Sequence, residues 1–218
     1  MNDRGSSPPQ FDAAFRQRFA ELVRWRRDVR RFRADPVPPE LLDALLALTA
    51  HAPSVGFCQP WRFVLVESPE RRSAIVENFK RANQAALAGY DGERRALYAG
   101  LKLEGLTQAP VHLAVCADEG AVTGHRLGRV TMPEMLRYSV VASIQTLWLA
   151  ARAEGLGVGW VSILDPTAVT RDLALPSEWT LIAYLCIGWP QEEHDDPELE
   201  RHGWERRLDP SVIKPLKR

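Results

Sequence analysis

The residues best suited to chemistry crowd into ten positions, where Arg24, Arg26, Arg27, Arg30, Arg31 and Arg33 surround one carboxylate, Asp28. Arginine's planar fork stays charged at physiological pH and pairs well with phosphate oxygens. An acid among such cations is expected to be held as the carboxylate. The stretch therefore reads as a grip for a phosphorylated ligand, with one acid placed to move a proton. Taken alone, a solvated basic helix end that favours the helix dipole explains the arginines equally well.

Two further stretches carry candidates. Ala52 to Trp61 holds small residues, a glycine and two prolines, so it reads as a loop. Its Ser54 hydroxyl, Gln59 amide and open backbone suit a planar heteroaromatic ligand, and an ordinary helix-to-strand connection is the competing reading. Gly155 to Leu164 is glycine-rich and ends near Ser162, and its glycines would let backbone approach a ligand closely. It is no dinucleotide fingerprint, because GxGxxG is absent and the stretch follows a helix. Cys58, Cys116 and Cys186 show no CxxC or Cys/His spacing, so no metal is expected. His112, inside an apolar run, reads as a structural histidine.

These residues need elements to position them. Phe11, Phe15, Phe19, Leu22 and Val23 recur at helical spacing and predict a first helix to about Trp25, which delivers the arginines. Leu41, Leu42, Leu45, Leu46 and Leu48 predict a second helix, and residues 62–66 a strand. Ser68-Pro69 makes an N-cap and N1 pair. A helical pattern then runs over 70–106, interrupted at 89–92, and reads as a lid or flanking subdomain. Residues 111–116 predict a strand and 118–130 a mobile loop. Thr131-Met132-Pro133-Glu134 has the form of a capping box opening a helix over 132–154. That helix is apolar nearly all round, which suits a core or a subunit interface. Asp165-Pro166 caps a short helix, and residues 179–188 form a buried strand. The sum is an α+β or mixed α/β layer with one sheet, its strand directions open. Residues 1–10 read as a flexible tail and 11–218 as a single domain.

Composition narrows the function classes. Lys+Arg 28 against Asp+Glu 28 gives a formal net charge of zero, which argues against a general nucleic-acid binder. No signal-peptide core or apolar run of the roughly 20 residues needed to span a bilayer is present. A cytoplasmic protein with free thiols is expected.

Four pieces in order resemble the FMN-dependent nitroreductase superfamily over roughly residues 15–207. They are Arg-Arg-x-Val-Arg at 26–30, Ala-Pro-Ser with Gln-Pro-Trp-Arg-Phe at 52–63, the Ala-Pro-Val strand start at 109–111 and Gly-Leu-Gly at 155–157. Arg-Arg-Asp-Val-Arg at 26–30, Ser-Val-Gly with Gln-Pro-Trp at 54–61 and Gly-Trp-Val-Ser at 159–162 carry the closer likeness to one branch. Ordinary members usually carry Ser where this chain has Asp28. The likeness is closest to the branch that converts reduced FMN and molecular oxygen to 5,6-dimethylbenzimidazole and erythrose 4-phosphate, for the lower ligand of cobalamin. The resemblance implies an α+β fold with a central mixed sheet and an intertwined homodimer with flavin sites at its interface. It implies that Arg26, Arg27 and Arg30 hold the phosphate and ribityl side, with Asp28 and Val29 among the binding residues. Ser54 and Leu103 would lie near the flavin ring, and Arg206 or Arg207 would add phosphate contacts. Asp28 is expected as general base or orienter of the ribityl hydroxyls, and Ser162 as the partner of flavin polar atoms. The residues alone favour Asp28 as an ion-pair partner of Arg27 or Arg31, a role compatible with the first, and Ser162 as a strand-end serine bonded to backbone. The Phe57-Cys58 pair departs from the pattern. A separate flavin reductase would supply the reduced flavin. The nearest alternative is an NAD(P)H-dependent nitroreductase or flavin reductase, and a flavin-binding protein without catalysis is a third reading.

Overall fold

The computed structural model describes residues 8–213 and 215, so most of the expected tail lies outside the described residues. Four strands form one sheet in the order β1–β2–β4–β3: β1 Trp61–Leu65, β2 Val111–Asp118, β3 Gly157–Val161 and β4 Trp179–Gly188. All three ladders are antiparallel, whereas a mixed sheet was expected. The parallel component is a single bridge, Asp28 to Val158, added at the β3 edge.

Side chains alternate across the sheet with the period of two that a strand imposes. Leu113, Val115, Leu185 and Ile187 enter one core, while Ala114, Tyr184 and Cys186 enter the other. Helix α2 (Pro39–Leu48) and the long helix α5 (Met135–Ala153) cover the first face with Leu42, Leu45, Val140, Ile144 and Leu147. Helices α3 (Pro69–Ala88) and α6 (Pro166–Asp172) cover the second with Ile75, Phe79 and Val169. Helix α4 (Gly92–Gly100) follows α3, and α7 (Glu198–Arg201) lies near the carboxyl end.

The lid reading of 70–106 is therefore corrected for α3. Ile75 is fully buried, and the Asn78 amide exchanges two hydrogen bonds with the Asp165 backbone, at 3.0 and 2.8 Å. The helical pattern also stops at Gly100 rather than near Leu106. The capping box is corrected as well. Helix α5 opens at Met135 without a side-chain cap, and the Thr131 hydroxyl donates instead to the Gly128 carbonyl at 3.3 Å. Asp165 and Ser68 do cap α6 and α3 as their sequence positions predict.

Helix α1 (Ala13–Trp25) buries no residue, and its Phe15, Phe19 and Val23 stand exposed beside Phe11. The stripe that predicts the helix is thus a surface feature of the single chain. Among the described residues no helix is long and apolar enough to cross a membrane.

Candidate functional site

Where α1 ends, Arg26 leaves helical geometry and the chain runs extended along the sheet edge. Three bonds fix its path. The Val29 N–H donates to the Val158 carbonyl at 3.0 Å, the Trp160 N–H to Asp28 Oδ1 at 2.8 Å, and Trp148 Nε1 to the Arg27 carbonyl at 3.1 Å. The strand's glycines make this approach possible. A Cβ at Gly159 would sit 2.1 Å from the Val29 carbonyl oxygen, and one at Gly157 would sit 2.7 Å from a Val29 methyl. The close partner of these glycines is the arginine segment itself, where the sequence suggested a ligand.

The segment lines a groove of about 190 Å³ together with Trp148, Arg152 and residues from 192 to 207. Most of its cations are already matched. Arg31 pairs with Glu198 at 2.8 Å and Glu192 at 3.1 Å, Arg152 with Glu193 at 2.6 Å, and Arg201 with Asp196 at 2.7 Å. Arg30 holds Asp28 Oδ2 through Nε and Nη2, both at 3.0 Å, and donates to the Lys102 carbonyl at 2.7 Å. Arg26, Arg27 and Arg207 remain without a carboxylate partner among the described residues. Arg26 stacks on Trp148 at 4.7 Å, and Arg27 Nε is buried without a hydrogen-bond partner among the described residues.

Burial, and then the neighbouring positive charges, push the Arg27 guanidinium below its usual range; burial likewise lowers Arg26, against the pull of Asp28. Arg207 adds to the repulsion in both cases. Three converging guanidiniums with an unsatisfied N–H form a site that a phosphate dianion would neutralise. The donor set fits the phosphate of FMN.

The pKa of Asp28 moves in the direction opposite to the one its arginine neighbours suggest. Burial raises its pKa, and the opposing effects of Arg30, the Trp160 N–H and Arg26 do not cancel that rise. About a third of the side chain, 32%, remains accessible, so the acid is a wall of the groove. Its ion-pair partner is Arg30, where Arg27 or Arg31 was anticipated.

The other candidates divide into near and far. Ser162 is exposed immediately after β3, two residues beyond the Trp160 that binds Asp28. Leu103 packs with Val29 around the second core, and the preceding carbonyl receives Arg30. Of the two carboxyl-terminal arginines, Arg207 lines the groove. Ser54 belongs elsewhere: its hydroxyl accepts the Gln59 N–H at 3.2 Å, and Val55 N–H binds Ser139 of α5 at 3.0 Å. Phe57 and Gln59 in this loop both take left-handed backbone, at φ 56° and 48°. Such strain costs about 1–3 kcal/mol per residue and concentrates at functional loops. Phe57 is also 72% exposed, whereas Cys58 is buried and its thiol pushed up by that burial.

Sequence reasoning missed Trp148 and the neighbouring acids. Trp148 is a candidate for notice only as the one tryptophan of α5. His112 is structural as expected, fully buried with its Nδ1 3.0 Å from the Tyr184 hydroxyl.

The chain is similar to known proteins over most of its length. A protein of Rhodospirillum rubrum named 5,6-dimethylbenzimidazole synthase is 57% identical over 94% of this chain and 98% of its own length. One of Rhodobacter capsulatus with the same name is 48% identical over 91% and 96%. Among solved structures, iodotyrosine deiodinase bound to FMN and 3-iodo-L-tyrosine is 27% identical, with a TM-score of 0.69 over 81% of this chain and 91% of that one. The model of the Nitroreductase family matches residues 23–189, from the last turn of α1 to the residue after β4. This chain belongs to the nitroreductase family.

Proposed function

We propose that this protein is a 5,6-dimethylbenzimidazole synthase, which converts reduced FMN and molecular oxygen to 5,6-dimethylbenzimidazole and erythrose 4-phosphate. The observation that carries the reading is Asp28, a carboxylate fastened to the sheet edge inside an arginine groove. The two bacterial relatives bearing that name support it across nearly their whole lengths.

Reduced flavin supplies the electrons and the carbon skeleton, and the chain's own residues bind, orient and move protons. Arg26, Arg27 and Arg207 take the phosphate, and Trp148 holds the Arg26 guanidinium in place by stacking beneath it. Arg30 orients Asp28. With Oδ1 held by the Trp160 N–H, Asp28 presents its remaining lone pairs to the ribityl hydroxyls and acts there as base or orienter. A base with a raised pKa gains strength as a proton acceptor once ionised. Ser162, beyond the same strand, offers its hydroxyl to flavin polar atoms, and Leu103 packs near the ring.

The Ser54 loop joins this site from a second copy of the chain. The exposed stripe of Phe11, Phe15, Phe19 and Val23, with Tyr138 and Val141 on α5, supplies apolar surface for that homodimer. Reduced flavin comes from a separate reductase, and the cytoplasm is the setting that suits it.

The test is anaerobic. The protein is loaded with FMN, reduced chemically and exposed to air, and the products are separated and weighed by mass spectrometry. Dimethylbenzimidazole appearing as flavin disappears is the expected outcome. Clean return of intact FMN overturns the reading and moves the function to an NAD(P)H-dependent nitroreductase or flavin reductase.

A further inference from the structure

Arg207 stands in an exposed segment, yet it is brought beside Arg26 and Arg27. Something must hold the chain there, because a long cation repelled by two others gains nothing by converging on them. The anchor is three residues upstream. Helix α7 is tied at its start by the Glu198–Arg31 ion pair of 2.8 Å and ends in a left-handed Gly203 at φ 71°. Gly203 N–H returns to the Glu200 carbonyl at 3.0 Å and Trp204 N–H to the Leu199 carbonyl at 2.8 Å, the two bonds of a glycine-terminated helix.

This turn places the Trp204 indole in an aromatic box. Tyr90 meets it edge-on at 5.5 Å and Tyr98 at 5.9 Å. Arg94 of α4 stacks on its ring at 4.9 Å and donates to its carbonyl at 2.9 Å. Tyr98 is in turn fixed by the Asn83 side chain, 2.7 Å from its hydroxyl. Aromatic edge-to-face and cation–π contacts of this kind are attractive beyond the area they bury, because the ring face is electron-rich and its edge electron-poor. Their sum offsets the repulsion that would otherwise release the segment.

We infer that Trp204 is a positioning residue for flavin binding: docked against α4 and the turn that precedes it, it holds Arg207 in the groove so that the phosphate meets three guanidiniums. The inference rests on the flavin reading above. It assigns α4, which touches no groove residue through its Arg94 and Tyr98, a part in ligand affinity.

The experiment compares the binding of FMN with that of riboflavin, which lacks the phosphate, by fluorescence quenching. The proteins are the full chain and its W204A, R94Q, R207A and W204A/R207A variants. Wild type should prefer FMN. W204A should lose roughly tenfold in FMN affinity, the scale of one charge-assisted bond, with riboflavin affinity unchanged. R207A should lose the same, and the double variant no more than either single one. R94Q removes an exposed side chain, so folding is not at stake, and it should show part of the loss. Equal weakening of FMN and riboflavin, additive losses in the double variant, or an R94Q and W204A that both bind FMN like wild type would overturn the latch. A wild type without preference for FMN would instead overturn the phosphate reading on which the latch depends.

Discussion

Asp28 is joined to Trp160 by a 2.8 Å bond from the strand's backbone N–H to the carboxylate, which fastens the one acid of the arginine segment to the strand leading to Ser162. Replacement by Asn preserves a carbonyl oxygen for that bond while removing the proton acceptor. D28N is therefore expected to bind FMN as wild type does and to lose dimethylbenzimidazole formation by about 10²–10⁴-fold, the contribution of a positioned base. Single-turnover product analysis measures it, and full activity would take Asp28 out of the mechanism.

Arg30 bears on the same group from the other side. Its two 3.0 Å contacts oppose the rise that burial imposes on Asp28. In R30A burial acts with less opposition, so Asp28 ionises at higher pH. If the ionised acid is the working form, the rising limb of product formation against pH moves upward in R30A. An unmoved limb would assign that limb to another group.

Gly159 is the tightest point of the site. Alanine there would place a methyl group 2.1 Å from the Val29 carbonyl oxygen, and backbone on both sides cannot yield cheaply. Overpacking of this kind costs about 1–3 kcal/mol, read as a lower urea midpoint in G159A. Flavin affinity should fall with it, because the displaced element is the binding segment.

The buried His112 sets an acid limit. Burial pushes its pKa from 6.5 to about 4, so the native state resists protonation that the unfolded chain accepts. The stabilising contribution is complete above the unfolded value of 6.5 and is lost as pH falls towards 4. At most about 3 kcal/mol is at stake. Asp28 works in the opposite sense, because its raised pKa favours the folded state at low pH and penalises it as pH climbs above the ordinary 3.8. Urea melts of D28N between pH 7 and 4 isolate the histidine, and adding H112Q should remove most of the remaining slope over that window.

Much of the site was legible because its signals are local. The density of arginines around one acid, the caps at Ser68 and Asp165 and the apolar run of β4 follow from residue type and spacing alone. The direction in which the Asp28 pKa moves was not, since whether cations or burial prevails depends on how tightly the sheet edge closes over it. Helix α3 was mistaken for a lid because its buried face is narrow: Ile75 and Phe79, four apart, are diluted by Ala, Asn and Gln. The glycines of β3 announced a close approach without saying of what, and the answer lies about 130 residues away in sequence, at Val29. Ser54 is legible as a loop residue, but its place away from the arginine groove is set by the bonds of its loop to Gln59 and Ser139, which are distant in type and sequence from the arginines.

The bridge between Asp28 and Val158 has a consequence for how such a site diversifies. The backbone of residues 28 and 29 is fixed by the strand's own N–H and C=O groups, through Val29 and Val158, whatever side chain position 28 carries. The Trp160 N–H asks of that side chain an oxygen within short reach, which a hydroxyl, an amide or a carboxylate supplies, and a carboxylate adds a second oxygen for the two contacts of Arg30. One scaffold can therefore exchange a neutral hydrogen-bonding residue for an acid without rebuilding its ligand cradle. The charge at this position can change while the backbone that carries it stays on the sheet edge.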